Sequence, residues 1–566
     1  MYEHDVIVVG AGGAGLRAAI AADEEGADVA LVTKLHPVRS HTGAAEGGIN
    51  AALREGDSWD LHAYDTVKGS DYLADAPAVD TFAKSAPEEV IQLEHWGMPF
   101  SREDDGRVSQ RPFGGMSFPR TTYAGACHGC VAYDIKSGEI HGFRANNGVV
   151  LATGGLGQAF DHTTNAIANT GDGCAMAYRA GAPMEDMEMI QFHPTTLPST
   201  GVLISEGVRG EGGILYNDEG ERFMYEHGYA NNAGELASRD VVSRAELTEV
   251  NEGRGIEDEY VDLDMRHLGE DRILDRLENI LHLAEDFEGV DGLDEPMPVK
   301  PGQHYAMGGV ECDENGETCI SGLYAAGETA CVSLHGANRL GGNALPELMV
   351  FGARAGWHAA GKEMKAAEIG TGPSAGSEDG DVEPPVEPGA IDSPDGDVAA
   401  DGAAIEPTAV IENAVENERE RVETLLEDDG INHANVRADV QQTMTENVNV
   451  FREEGAVRSA LRDIRQARKE YENVAVADPS RTYNTDLIHT IETRNILDVA
   501  EAITLGALAR EEFRGAHWRA EHQERKDDEW IKHTMLAWND GTPELYYKPV
   551  NLDGDEETYE PKERSY

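Results

Sequence analysis

The sequence predicts an α/β protein: a doubly wound parallel sheet with an inserted α+β capping domain, followed by a helical bundle and an irregular C-terminal region. Three observations predict it. The chain opens as an apolar strand, Asp5-Val6-Ile7-Val8-Val9, that runs into the glycine-rich turn Gly10-Ala11-Gly12-Gly13-Ala14-Gly15 and then a helix. Far along the chain a second strand, Gly322-Leu323-Tyr324-Ala325-Ala326, again runs into a glycine turn at Gly327-Glu328. Beyond Ile411, apolar residues recur at helical spacing among charges. Strands alternating with helices belong to parallel sheets, whereas a run of helices alone packs as a bundle.

The elements follow in order. A helix is expected over 16–25 and a second strand over 28–33. Residues 126–134 and 139–144 read as a hairpin leading into a separate apolar strand, 148–152, which ends in Thr153-Gly154-Gly155. The middle of the chain mixes short strands, turns and helices. The strand at 322–326 then returns to the first sheet, so the first domain is discontinuous. The expected division is 1–186 with 305–366 for the nucleotide-binding domain, 187–304 for the capping domain, 367–407 for a linker, 408–515 for the helical domain and 516–566 for the C-terminal region. The linker is rich in Gly, Pro, Ser, Asp and Glu without periodicity, and is expected to be disordered. Ile411, Val415, Val422 and Leu425 open the helical part, and 435–452, 455–473 and 485–513 continue it. The last fifty residues read as irregular, and no internal repeat is present.

Composition narrows the function. At 566 residues the chain needs more than one core. It carries 106 acidic against 46 basic residues, a formal charge of −60. Such a surface repels nucleic acid and anionic membrane, which excludes both as direct partners. It also repels itself, which predicts a high-salt cytoplasm where charges are screened within about 3 Å at 1 M. Six cysteines are too few for a disulfide framework. No basic region with a following apolar stretch opens the chain, and no apolar run approaches the roughly 20 residues of a membrane span. A soluble, cytoplasmic chain is expected, with any membrane attachment supplied by partners.

The turn Gly10-x-Gly12-x-x-Gly15 lets backbone amides approach a pyrophosphate at a helix N-terminus. An NAD site would place an acidic residue at the end of the second strand; Thr33 and Lys34 stand there, which favours FAD. Cys127-His128-Gly129-Cys130 has the spacing of a metal or redox pair, but no second pair accompanies it, and no metal site is expected.

The run Arg39-Ser40-His41-Thr42-Gly43-Ala44-Ala45-Glu46-Gly47-Gly48-Ile49-Asn50 resembles the corresponding segment of succinate dehydrogenase and fumarate reductase flavoproteins. The resemblance extends over most of the chain, through Thr170-Gly171-Asp172-Gly173, Gln191-Phe192-His193-Pro194, Ser205-Glu206-Gly207-Val208-Arg209, Ser238-Arg239-Asp240, His304-Tyr305-Ala306-Met307, Glu328, and Asn338-Arg339-Leu340-Gly341-Gly342. It implies covalent FAD on His41, with Gly10, Ala11, Gly12, Gly13, Ala14, Gly15, Thr33, Lys34, Ser40, Thr42, Gly47, Gly48, Asp172, Glu328, Ala344 and Leu345 as further cofactor contacts. It implies substrate binding by His193, Ser205, His304 and Arg339, and proton transfer by Arg239 with Glu206 and Arg209 as its relay. Ser205 stands where the family more often has Thr, and Ala344 where many relatives have Ser.

The implied activity is interconversion of succinate and fumarate by hydride transfer to FAD. Electrons would pass to an iron–sulphur subunit and then to quinone through membrane-anchor subunits, placing the chain at the inner face of the cell membrane. The chemistry asks for such a set independently: a dicarboxylate needs local positive charge that the acidic surface lacks, and Arg339 can hold one carboxylate bidentately. Two alternatives remain open. One is a flavoenzyme like L-aspartate oxidase, which shares the fold without the covalent histidine. The other is a catalytically impaired flavin-binding scaffold, because relatives carry several tens of residues more around Gly125, including a helix and a strand that meet the adenine.

Overall fold

The computed structural model describes residues 1–44, 49–53, 58–96, 125–361, 407–427, 430–539, 542–554 and 558–562. The acidic linker and the region just before Gly125 lie outside them, as do Gly47 and Gly48.

The first sheet forms where the N-terminal pattern predicts it. Strand Tyr2–Val9 pairs in parallel with Val29–Val32 on one side and with Glu139–Leu151 on the other, and Leu323–Ala325 adds in parallel beyond. Val6, Ile7 and Val8 are wholly buried, as a parallel strand covered on both faces requires. Helix Gly13–Glu24 packs against helix Ala344–Ala359 with almost no spacing. A side-chain carbon on Gly356 would stand 2.1 Å from the Ala18 carbonyl oxygen, so only glycine permits this approach. The two helices run side by side, with Gly352 against Ala14 and Gly356 against Ala18.

Two expectations about strands need correction. Residues 139–144 and 148–152 belong to one thirteen-residue strand, Glu139–Leu151. The polar pair Asn146-Asn147 read as a break, but a register shift between His4 and Val6 absorbs it while both asparagines face solvent. The hairpin partner is Gly129–Asp134, whereas Gly125–Ala126 pairs in parallel with Ile320–Ser321.

The capping segment forms a second sheet from Ile190–Thr196, Met297–Ala306, Val261–Asp264 and Ile214–Tyr216, all antiparallel. Helix Arg239–Asn251 packs beside it. Its core, with Val208, Phe223, Leu263 and Val299, is distinct from the core of the first sheet.

Four helices, Pro407–Glu427, His433–Asn447, Glu454–Tyr471 and Thr485–Ala509, make the helical region. No helix among the described residues is long and apolar enough to cross a membrane. The C-terminal region is not irregular throughout. Strands Lys532–Asn539 and Thr542–Pro549 form a hairpin that pairs with Met184–Glu185 and completes a third sheet. His533, Thr534, Met535 and Leu536 are all buried, so the strand is covered on both faces and shows no alternation of polarity.

Candidate active site

A cavity of about 380 Å³ lies between the first sheet and the capping sheet. Its near wall is the glycine turn (Gly12, Gly13, Ala14), the turn His41–Ala44 through His41 and Thr42, and the start of helix Ala344–Ala359. Its far wall presents His193, Ser205, Glu206, Arg239, His304 and Arg339, with Glu328 beside them.

The near wall fits a dinucleotide. Gly10 holds φ +114°, and a side-chain carbon there would meet the Ala152 carbonyl oxygen at 2.1 Å, so the chain can turn this tightly only with glycine. Gly13 N donates to Thr42 Oγ1 at 3.0 Å, which fixes the His41 turn against the helix start. Two helix N-termini and a glycine cradle in one cavity form a site for a pyrophosphate.

The far wall is built for an anion. Arg339 is buried, its Nε has no hydrogen-bond partner, and it forms no ion pair with a carboxylate among the described residues. Its guanidinium lies 4.3 Å from the centre of the Tyr305 ring. Burial and the nearby Arg239 lower its pKa to about 10, which still leaves it charged at neutral pH. Leaving such a charge buried without a counterion is costly, so the site is complete only with an anion.

Burial and the surrounding arginines push His193 and His304 well below the usual histidine range, so both are neutral. Thr195 N donates to His193 Nδ1 at 3.2 Å, which places the ring proton on Nε2. That Nε2 is buried and has no partner among the described residues, so His193 offers one donor to the cavity. His304 Nδ1 is engaged with Thr164 Oγ1 at 2.8 Å, and the two imidazoles meet edge-on at 5.0 Å.

Arg239 begins its helix and reaches Glu206 twice, through Nε at 2.8 Å and Nη2 at 2.7 Å. Burial would raise the Glu206 carboxyl, but Arg239 and Arg209 outweigh it and hold Glu206 below its ordinary pKa. Burial also lowers His41, aided by Arg339, so its imidazole is uncharged. Glu328 is pushed up to about 8 by burial and keeps its proton at neutral pH.

A FAD binding domain model matches residues 5–127 and 120–345, and a fumarate reductase flavoprotein C-terminal model matches 437–566. The chain is 41% identical over 600 residues to a fumarate reductase flavoprotein subunit of Mycobacterium tuberculosis, covering 97% of each. It is also 41% identical to a succinate dehydrogenase flavoprotein subunit of Rickettsia bellii, covering 97% of this chain and 96% of the relative. Among solved structures, FrdA of the E. coli quinol fumarate reductase superposes with a TM-score of 0.86 at 37% identity, covering 100% of this chain and 99% of that one. The chain belongs to the succinate dehydrogenase/fumarate reductase flavoprotein family.

Within this flavoprotein the predicted residues divide into two groups. His41, Thr42, His193, Ser205, Glu206, Arg239, His304, Glu328, Arg339, Ala344 and Leu345 all line the one cavity with Gly12, Gly13 and Ala14. Arg209 lies behind Glu206, wholly buried. Gly10, Ala11, Gly15, Thr33, Lys34, Ser40 and Asp172 are not among the described residues lining it. Lys34 Nζ instead pairs with Asp172 and Glu492, each at 2.8 Å, and binds Thr170 Oγ1 at 3.0 Å.

Sequence reading missed three supporting residues of the flavoprotein site. Gln191 contacts both Arg239 and the Arg339 carbonyl; its position two residues before His193, on the same strand face, was the available signal. Tyr305 supports Arg339, and its hydroxyl donates to Glu347 at 2.6 Å. Thr164 orients His304 from a distant loop, and nothing in the sequence marks it.

Proposed function

We propose that this chain interconverts succinate and fumarate at the cavity bounded by His41 and Arg339. The observation that carries the reading is the buried, unneutralised guanidinium of Arg339 facing a neutral donor histidine across a dinucleotide cradle. Arg339 takes one carboxylate of the substrate, with His304 beside it; His193 Nε2 and the Ser205 hydroxyl donate to the dicarboxylate. Two fixed carboxylates set the reacting carbons in place before any bond changes.

Arg239 exchanges the proton of the reacting carbon and passes it to Glu206 Oε2 along its paired hydrogen bonds. The free base of an arginine is scarce in water. Here Glu206 shares the proton at 2.7–2.8 Å, and Arg209, whose charge also acts on Glu206, is the next member by resemblance. FAD, when bound, supplies the two-electron acceptor. The residues that would hold it are those of the glycine turn at 10–15, Thr42, Glu328, Ala344 and Leu345, with Thr33, Lys34, Ser40, Gly47, Gly48 and Asp172 assigned by resemblance alone. His41, kept uncharged, retains the lone pair that a covalent link needs.

The same proposal includes an iron–sulphur partner and membrane-anchor subunits that carry electrons to quinone. It places the chain peripherally at the inner face of the cell membrane. The names of the relatives as flavoprotein subunits support this, as does the absence of a membrane-crossing helix among the described residues. The separate apolar cores support a discontinuous FAD-binding domain with an inserted capping domain.

The test is succinate-dependent dye reduction in high salt, together with acid precipitation of the protein. A yellow pellet and malonate-sensitive reduction are expected. Flavin-loaded protein that ignores succinate, fumarate and malonate would overturn the assignment.

A further inference from the structure

Behind the cavity lies a buried acid that the chemistry above does not use. Helix Arg239–Asn251 places Ser243 and Glu246 four and seven residues after Arg239, on the same face. Glu246 is wholly buried, and neither of its carboxyl oxygens has a hydrogen-bond partner among the described residues. Arg209, also buried, has Nε and Nη2 in the same condition, while its Nη1 donates to the Glu235 carbonyl at 2.6 Å. No direct ion pair joins Arg209 to Glu246, yet Arg209 is the one charge whose field reaches that carboxyl. Two buried donors and two buried acceptors, all unpartnered among the described residues and linked by the field of Arg209, are the setting in which proteins place a bridging water.

Burial pushes the Glu246 carboxyl well above its ordinary pKa, which favours its protonated form. The neighbouring segments bring other titratable groups close to the helix: His193 and His304 from the capping sheet, Asp262 and Asp264 from its third strand, and Glu206 and Glu235 around Arg209. None of them adds to the effect of Arg209 on Glu246. One turn further, Glu249 accepts from His227 Nδ1 at 2.7 Å, and the His227 side chain is 26% exposed. Polar groups therefore continue along this helix toward solvent.

We propose that Glu246 is the outer member of the proton relay, exchanging its proton with Arg209 through a bridging water and so recharging Glu206 and Arg239. The inference rests on the succinate–fumarate reading above. The proton count closes: each proton that Arg239 gives to carbon is replaced from Glu206, Arg209 and then Glu246, and Glu246 regains one from solvent. In oxidation the same transfers run in reverse. Glu246 acts through Arg209 and touches no substrate.

The experiment compares Glu246→Gln and Glu246→Asp with the parent holoprotein. Glu246→Gln should bind flavin and dicarboxylate normally, with KM unchanged within about twofold. It should lose about tenfold or more in kcat, the low end for a general acid or base. Its solvent deuterium isotope effect should rise and its pH profile should shift, and Glu246→Asp should recover part of the rate. Infrared spectra of the parent at neutral pH should show a protonated carboxylic acid band that Glu246→Gln lacks. A Glu246→Gln enzyme with parental kcat, isotope effect and pH profile overturns the relay. So does an unchanged infrared band, which decides the matter even if the variant is unstable. Should the flavin-loaded parent ignore all dicarboxylates, the underlying reading falls first, and the relay with it.

Discussion

Gln191 Oε1 accepts a buried 3.0 Å hydrogen bond from Arg239 Nη1, and the Gln191 amide nitrogen is committed to the Arg339 carbonyl at 2.6 Å. One neutral side chain thus spaces the proton-transfer arginine from the carboxylate-binding one. Gln191→Leu keeps the volume and removes these bonds together with the one to Asn338 Oδ1, leaving buried polar groups unsatisfied. We expect kcat/KM for succinate to fall roughly ten- to hundredfold with flavin content unchanged. Steady-state kinetics on the purified variant decide it.

Arg339→Lys keeps the charge but replaces a planar fork with a point charge. KM for succinate and the inhibition constant for malonate should both rise by about tenfold or more, with a smaller change in kcat. Equal losses in kcat and kcat/KM with KM unchanged would move Arg339 from binding to chemistry.

His41→Ser should send all the flavin into the supernatant on acid precipitation, where the parent leaves it in the pellet. Succinate oxidation should fall more than fumarate reduction, because an untethered flavin is a weaker oxidant. The shorter chain around Gly125 that the resemblance implies predicts a lower flavin-to-protein ratio than in a relative that carries the extra segment. A full flavin ratio with normal thermal stability counts against that.

His533 predicts a loss of stability at high pH. Burial alone would strip its proton, but Glu185 and Asp186 outweigh this and lift it from 6.5 to about 10. Its Nδ1 donates to Asp186 Oδ2 at 2.7 Å, while Lys548 Nζ neutralises Glu185 at 2.7 Å and Glu311 at 3.1 Å. Lys548 is thus already the cationic partner of a cluster, Glu185, Asp186 and His533, whose spacing could otherwise hold a metal ion. Because the folded pKa lies above the unfolded one, the stabilisation is complete below 6.5 and disappears as pH rises toward 10. It is on the order of several kcal/mol. Melting temperature should drop across that window, and His533→Asn should melt lower at neutral pH with a flatter dependence.

Net charge makes a prediction about salt. With −60 on the chain, self-repulsion falls as the screening length shrinks from about 10 Å at 0.1 M to about 3 Å at 1 M. The melting temperature should rise steadily between those KCl concentrations. A flat or falling curve would remove the high-salt expectation.

The sequence by itself determined the opening strand, its glycine turn, the four later helices and about half of the cavity lining, its charged residues and histidines included. Those signals are local: apolar runs, glycines that alone permit a tight turn, and motifs whose residues sit side by side in the chain. What required the tertiary structure was everything set by contacts between distant segments. The continuous strand Glu139–Leu151 depends on a register shift in its neighbour, and the C-terminal hairpin on a strand edge at Met184–Glu185. Thr164 reaches His304, and the charge of Arg209 acts on Glu246, only because separate elements fold over one another. Burial decided the charge states as well. A histidine, a glutamate and an arginine have the same letters inside and outside, and only the enclosing protein pushes His193 down, pushes Glu246 up and leaves Arg339 without an ion pair among the described residues.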